Sequence, residues 1–144
     1  MLERTPPEQV LWAGAGGDSS AERALQNYLN ERGVVPDQAQ SGQVLDLGDG
    51  ASLRVVSAGE SGAVLLLEWR NFQALLPLGM DETMLADLLN DPEIGQVTAL
   101  LLAEGGAAAL NPPEWIEKLR PQVVLLSAGG GDQSDPEVMA ALEG

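Results

Sequence analysis

Two apolar runs, Ala63 to Trp69 and Phe72 to Leu78, are separated only by Arg70-Asn71. So short a link cannot carry the chain across a sheet, so the runs must pair antiparallel as a hairpin. A second pair precedes them, Gln43 to Leu47 and Leu53 to Ser57, divided by the turn-forming residues Gly48-Asp49-Gly50. The middle of the chain is therefore antiparallel sheet.

From Asp81 onward the pattern alternates between helix and strand. Met84, Leu85, Leu88 and Leu89 fall on one helical face, and the apolar run Val97 to Ala103 follows. Asn111-Pro112-Pro113-Glu114 opens another helix, which buries Trp115, Ile116 and Leu119 and stops at Pro121. Val123 to Ser127 reads as the last strand, and Asp135-Pro136-Glu137 opens a final helix carrying Val138, Met139 and Leu142. Such continuous apolar strands linked by helices predict neighbours in a sheet covered on both faces. At the other end, Val10 to Ala13 runs into Gly14-Ala15-Gly16-Gly17 and then a helix. Ser19 and Glu22 fit a capping box, Ala21, Ala24, Leu25, Tyr28 and Leu29 share a face, and Gly33 stands at the stop.

The length of 144 residues suits one domain, and 44% apolar content is enough for a core. With three Trp, one Tyr and one Phe, that core must be Leu, Val and Ala. Trp69 and Trp115 lie within apolar patterns and read as core anchors. A formal charge of −15 opposes direct binding to a phosphate backbone and favours basic partners. The apolar runs are far shorter than the ~20 residues of a membrane-spanning helix, and the N-terminus lacks a run of signal-peptide length. The expectation is a soluble piece of unassigned location that does not insert into a membrane. Without cysteine, the redox compartment is not legible.

Histidine is absent as well, and this removes the usual general base and the commonest transition-metal ligand. Most routes to hydrolysis by zinc, by a Ser-His pair or by a Cys-His pair are therefore closed. A Ser-Lys pair would need Lys118, the only lysine, which is expected beside Glu117 on an exposed helix face. No catalytic residue and no cofactor is therefore expected.

The stretch from Gly62 to Leu142 resembles the C-terminal metallo-β-lactamase-like domain of the ComEC/Rec2 competence-protein family, which serves DNA uptake. The resemblance is carried by the hairpin AVLLLEWRNFQALLPLGMDE, by TALLLAEGGAAALNPPEWIEKLRPQVVLLSAG, and by the ending GDQSDPEVMAAL. Upstream, VLWAG, SAERALQNYLNERGV and GQVLDLGDGASLRVV fit the segments before that hairpin. The family's metal-binding positions are not kept. Its T-G-D after the hairpin is met by Met80, or by Asp81 if the loop shifts by one; its P-H-H-G by Ala103-Glu104-Gly105-Gly106; and the histidine before its final P-E-V by Asp135. Its early H-x-H-x-D-H has no counterpart in this chain.

The resemblance implies a mixed α/β fold, an αββα sandwich of which residues 1–144 form one domain supplying the later portion, β-hairpins followed by β-α-β-α. A half sandwich would leave an apolar sheet face or edge uncovered. The leading expectation is a non-catalytic, metal-free domain with a structural or protein-contact role. Its partner would be a second copy, another protein, or other domains of a parent bacterial inner-membrane protein. The alternative is a fragment of a metal-dependent nuclease whose other ligands lie upstream, with Glu104 and Asp135 completing a carboxylate-rich centre. A separate reading has Glu104, Asp81, Asp132 and Asp135 converge as an oxygen-only site for Mg²⁺ or Ca²⁺. The plainer reading makes Asp81 and Asp135 helix N-caps and Asp132 a solvated loop acid. A weaker alternative is a nucleotide-binding module in which Gly14, Gly16 and Gly17 cradle an anion. There Ser19 replaces the third glycine, no G-K-[ST] follows, and Asp18 opposes the charge.

Overall fold

The computed structural model describes residues 7, 9–16, 19–127 and 135–143. Gly17, Asp18, and the loop from Gly129 to Asp132 lie outside the described residues. A short parallel pair, β1 (Leu11–Trp12) and β2 (Asp37–Gln38), flanks helix α1 (Ser20–Glu31). Next come β3 (Val44–Gly48), β4 (Ala51–Ala58), β5 (Ala63–Trp69) and β6 (Phe72–Leu78), then α2 (Glu82–Asn90) and β7 (Ala99–Leu101). Two 3₁₀ turns, Ala103–Gly105 and Ala108–Leu110, lead to α3 (Pro113–Leu119), β8 (Val123–Leu125) and α4 (Pro136–Glu143).

The main sheet has six strands in the order β3-β4-β5-β6-β7-β8. Its first four form an antiparallel meander, and β6, β7 and β8 run parallel. The expected hairpin is present with the predicted bounds, and Arg70 turns it with a left-handed φ of 54°. At the hairpin's open end the backbone of Gly62 lies against that of Gly79. A methyl group on Gly62 would collide with the Leu78 carbonyl oxygen, and one on Gly79 with that of Ser61. Positive φ at both positions makes glycine the fitting residue.

One face of the sheet carries α2, α3 and α4. Val64, Leu66, Leu75 and Leu100 pack with Met84, Leu85 and Leu88 of α2, with Trp115, Ile116 and Leu119 of α3, and with Val138 of α4. Alternation along each strand sends the remaining side chains to the other face, and the pairing registers line them up in two rows. One row crosses the whole sheet as Leu45, Leu53, Leu67, Ala74, Ala99 and Val123. The next contains Val55, Leu65 and Leu76, and Leu101 and Leu125 extend it. Neither row contains a charged residue. Ala39 and Leu11 cover the Val55 corner, but Val123 and Leu125 are 50% and 46% exposed. Elsewhere on this face Val55 and Ala63 are fully buried and Ala74 and Ala99 are 6% exposed, so the expectation of a sheet covered on both faces fails only toward β8, and that of an uncovered apolar face or edge applies at that edge. The run Val97 to Ala103 had implied two covered faces, yet it yields strand only at Ala99–Leu101, with Leu101 half-buried.

Other expectations also change. The Ala21, Ala24 and Leu25 stripe of α1 is exposed, and of its face only Leu29 is buried, although the Ser19 and Glu22 capping box forms. The helix closes with Gly33 N–H donating to the Asn30 carbonyl and Val34 N–H to that of Leu29, with Gly33 at φ 68°. Trp115 is a fully buried anchor, whereas Trp69 is 44% exposed and not one. Its indole N–H donates to the Asp49 carbonyl at 3.3 Å, at the outer end of the hairpin. Lys118 is not on an open face either. It is half-buried, and Nζ donates to the carbonyls of Leu88, Leu89 and Asp91 at 2.8, 2.8 and 2.7 Å, closing the C-terminus of α2.

Candidate functional site

Parallel strands β6, β7 and β8 present their C-terminal ends on one edge, where open α/β sheets generally hold ligands. The loops that follow them come together there. Asp135 N–H donates to the Gly106 carbonyl at 3.3 Å, joining the start of α4 to the loop after β7. The Ser127 carbonyl, after β8, lies 3.3 Å from where a Cβ of Gly105 would stand.

The loop after β7 is held from within. Asn111 is 1% exposed, and its Oδ1 accepts from Ala103 N–H at 3.0 Å. Its Nδ2 donates to the Ala103 and Ala107 carbonyls at 2.9 and 2.7 Å. A buried amide with these partners fixes the loop's shape without any ion. Sequence reasoning placed Asn111 only at a helix start; its signal was a polar residue ahead of Pro112-Pro113 with apolar chain on both sides.

The side chains at the positions where the resemblance implies metal ligands have other uses. Met80 is 2% exposed and belongs to the core with Met84 and Leu88. Asp81 caps α2, with Oδ1 accepting from Met84 N–H at 2.9 Å and Oδ2 from the Ser61 hydroxyl at 3.2 Å. Glu104 is exposed, with a left-handed φ of 44°. Asp135 Oδ1 accepts from Glu137 N–H at 3.2 Å in the first turn of α4. Both aspartates thus act as the N-caps that their sequence contexts predict. Among the described residues no three His, Cys, Asp or Glu side chains gather as a metal would need. A thioether in the core and two capping carboxylates do not fit the metal set that the resemblance implies.

The glycine loop is likewise committed. Ala15 N–H donates to the Glu60 carbonyl at 2.8 Å, and the Gly14 carbonyl accepts from Gln38 Nε2 at 3.1 Å. At the start of α1, Glu22 Oε2 already accepts from Ser19 N–H and Oγ at 3.3 and 2.9 Å. A carboxylate therefore occupies the place an anion would take. Gly16 lines a cleft with Trp12, Gln26, Asn30 and Gln38, an uncharged set. No helix among the described residues is long and apolar enough to cross a membrane.

A mixed sheet with α2, α3 and α4 on one face and an apolar second face is one half of a layered sandwich. The architecture is that of the metallo-β-lactamase fold, as the match to a solved structure shows. CmlA, a diiron β-hydroxylase from Streptomyces venezuelae, is similar over 81% of this chain with a TM-score of 0.50 and 17% identity. The chain spans 30% of the CmlA chain. At that identity the likeness shows the fold alone. No family model and no curated protein matches the sequence.

Proposed function

We propose that this chain is a non-catalytic metallo-β-lactamase-fold domain, related to the ComEC/Rec2 DNA-uptake proteins and used for structure or protein contact. The observation that carries the reading is Met80. The residue aligned with the family's metal-binding aspartate is an apolar side chain sealed at 2% exposure under α2. Asp81, the alternative, has one carboxylate oxygen on the α2 N-terminus and the other on Ser61. Further support comes from the Asn111 amide, which holds the loop after β7 by itself. The exposed Val123, Leu125 and Leu126 at the β8 edge support a contact role, since exposed apolar patches mark interaction sites. Its partner would belong to the same assembly, as one domain of a parent inner-membrane protein or a copy of the chain.

The test is metal content by plasma mass spectrometry beside a nuclease assay on linear DNA with Mn²⁺, Mg²⁺ and Zn²⁺. The expected result is no stoichiometric metal and no cleavage. Bound metal with cleavage that survives Asp81→Asn but not Glu104→Gln would refute the reading, because an exposed glutamate would then be doing chemistry.

A further inference from the structure

We infer that the cleft between α1 and the β1–β2 pair binds a neutral, polyhydroxylated ligand, a short oligosaccharide. The inference stands apart from the non-catalytic reading, because it uses none of the residues at the ends of β6, β7 and β8. Alternation along the strands builds the cleft. Leu11 and Ala39 turn toward Val55 and the main sheet. Trp12 and Gln38, register partners in the parallel pair, therefore point away from it and line the cleft together. Gln26 and Asn30 stand one turn apart on α1 and form the facing wall.

The space suits a small molecule. The cleft holds about 340 Å³, and a second cavity of about 360 Å³ shares Gly16 and Gln38 with it and runs on to Gly59 and Glu60. Small-molecule sites generally hold about 300–1,000 Å³. Gly16 keeps the middle of the cleft clear. A Cβ there would stand 3.8 Å from Gln26 Nε2 and 3.9 Å from Trp12 Nε1, so two N–H donors, one from each wall, flank the same point. Neither nitrogen has a hydrogen-bond partner among the described residues.

The lining selects the chemistry. No Lys or Arg lines either cavity, and the one ionisable side chain is Glu60 in the second. A phosphate or carboxylate ligand thus meets no counter-charge in a chain of formal charge −15. A wholly apolar ligand fails for the opposite reason, since it would strip water from the Gln26 and Asn30 amides and return no hydrogen bond. Gln38 Nε2 already donates to the Gly14 carbonyl at 3.1 Å, which leaves its Oε1 to accept. Trp12 adds a donor, and Gln26 and Asn30 add both kinds. Hydroxyl groups, each donor and acceptor at once, answer that mixed set. A sugar ring carries them around its edge, while its C–H faces pack on the apolar surfaces of Trp12 and Pro36. Two cavities in series favour a chain of two or three such rings over a single nucleobase.

Proton–nitrogen NMR of the full chain, titrated with maltotriose, cellotriose and chitotriose to about 10 mM, reads this directly. At least one sugar is expected to move the Trp12 indole N–H and the side-chain amide signals of Gln26 and Asn30 in a saturable way, with the Trp69 indole signal unmoved. Gly16→Ala sets a methyl at ordinary contact distance from both donors, at a position whose φ is not positive. The fold should therefore persist, and affinity should fall by about ten-fold or more. Gln26→Ala, on the exposed side of α1, keeps the helix and should also weaken binding. No saturable shift with any of the three sugars overturns the inference. So does binding that ignores Gly16→Ala, or adenosine filling the cleft where no sugar does. DNA cleavage in the metal assay would sink the non-catalytic reading and leave this result untouched, so the two failures are separable.

Discussion

Replacing Lys118 by Met keeps most of the aliphatic stem and removes the ammonium that serves three carbonyls at the end of α2. Hydrogen bonds involving a charged group contribute about 1.5–3 kcal/mol each in mutational series. Their sum overstates this case, because Lys118 is half-buried and water can reach part of the site. A favourable charge at a partly buried helix C-terminus, by comparison, contributes up to about 2 kcal/mol. The loss on Lys118→Met is therefore set at about 2–4 kcal/mol, between one full charged bond and the discounted set. For a domain of this size that lowers Tm by roughly 5–15 °C. Urea unfolding followed by circular dichroism, with Tm from a thermal scan, measures both. Glu117→Gln on the exposed neighbour is the control and should move stability by less than about 0.5 kcal/mol. If Lys118→Met also falls within about 0.5 kcal/mol of the parent, solvent satisfies those carbonyls and the energetic argument is wrong.

Asn111→Ala leaves Ala103 N–H and two carbonyls without their buried partner, and about 3 kcal/mol or more should be lost in urea unfolding. Gly62→Ala forces a methyl into the Leu78 carbonyl and should abolish soluble folded protein, whereas Gly95→Ala, which meets nothing within 4 Å, should express and melt like the parent. Ser19→Ala removes the cap of α1 and should cost about 1 kcal/mol, seen as faster amide hydrogen exchange over residues 20–24 with the sheet unchanged.

The meander was legible because its signals are local. The runs flanking Arg70-Asn71 and Gly48-Asp49-Gly50 pair with their chain neighbours, so alternation and turn chemistry define them within a few residues. What escaped depends on tertiary partners. Lys118 looks like a surface lysine until α3 packs beside the end of α2, about 30 positions earlier in the chain. Trp69 continues an apolar run but sits at the hairpin's outer end, beyond any covering layer. The run Val97 to Ala103 stops being strand at Leu101 because Asn111 ties Ala103 into a turn, a contact that apolar periodicity does not encode. At the candidate site, residue types alone set Met80 or Asp81, Glu104 and Asp135 at the positions where the resemblance implies metal donors. Which of Met80 and Asp81 lay in the core, and what Asp81 did instead, needed the structure.

In the six-stranded sheet the spatial order of strands is also their order along the chain. Each strand therefore finds its partner in the strand made just before it, and the loops within the meander hold only two to four residues. During synthesis, from the N-terminus onward, the sheet can extend one strand at a time, and none has to wait for a later strand to be inserted beside it. Loop-closure entropy stays small at every step up to β6. It rises only at the two helical crossovers that add β7 and β8, so the slowest additions are also the last.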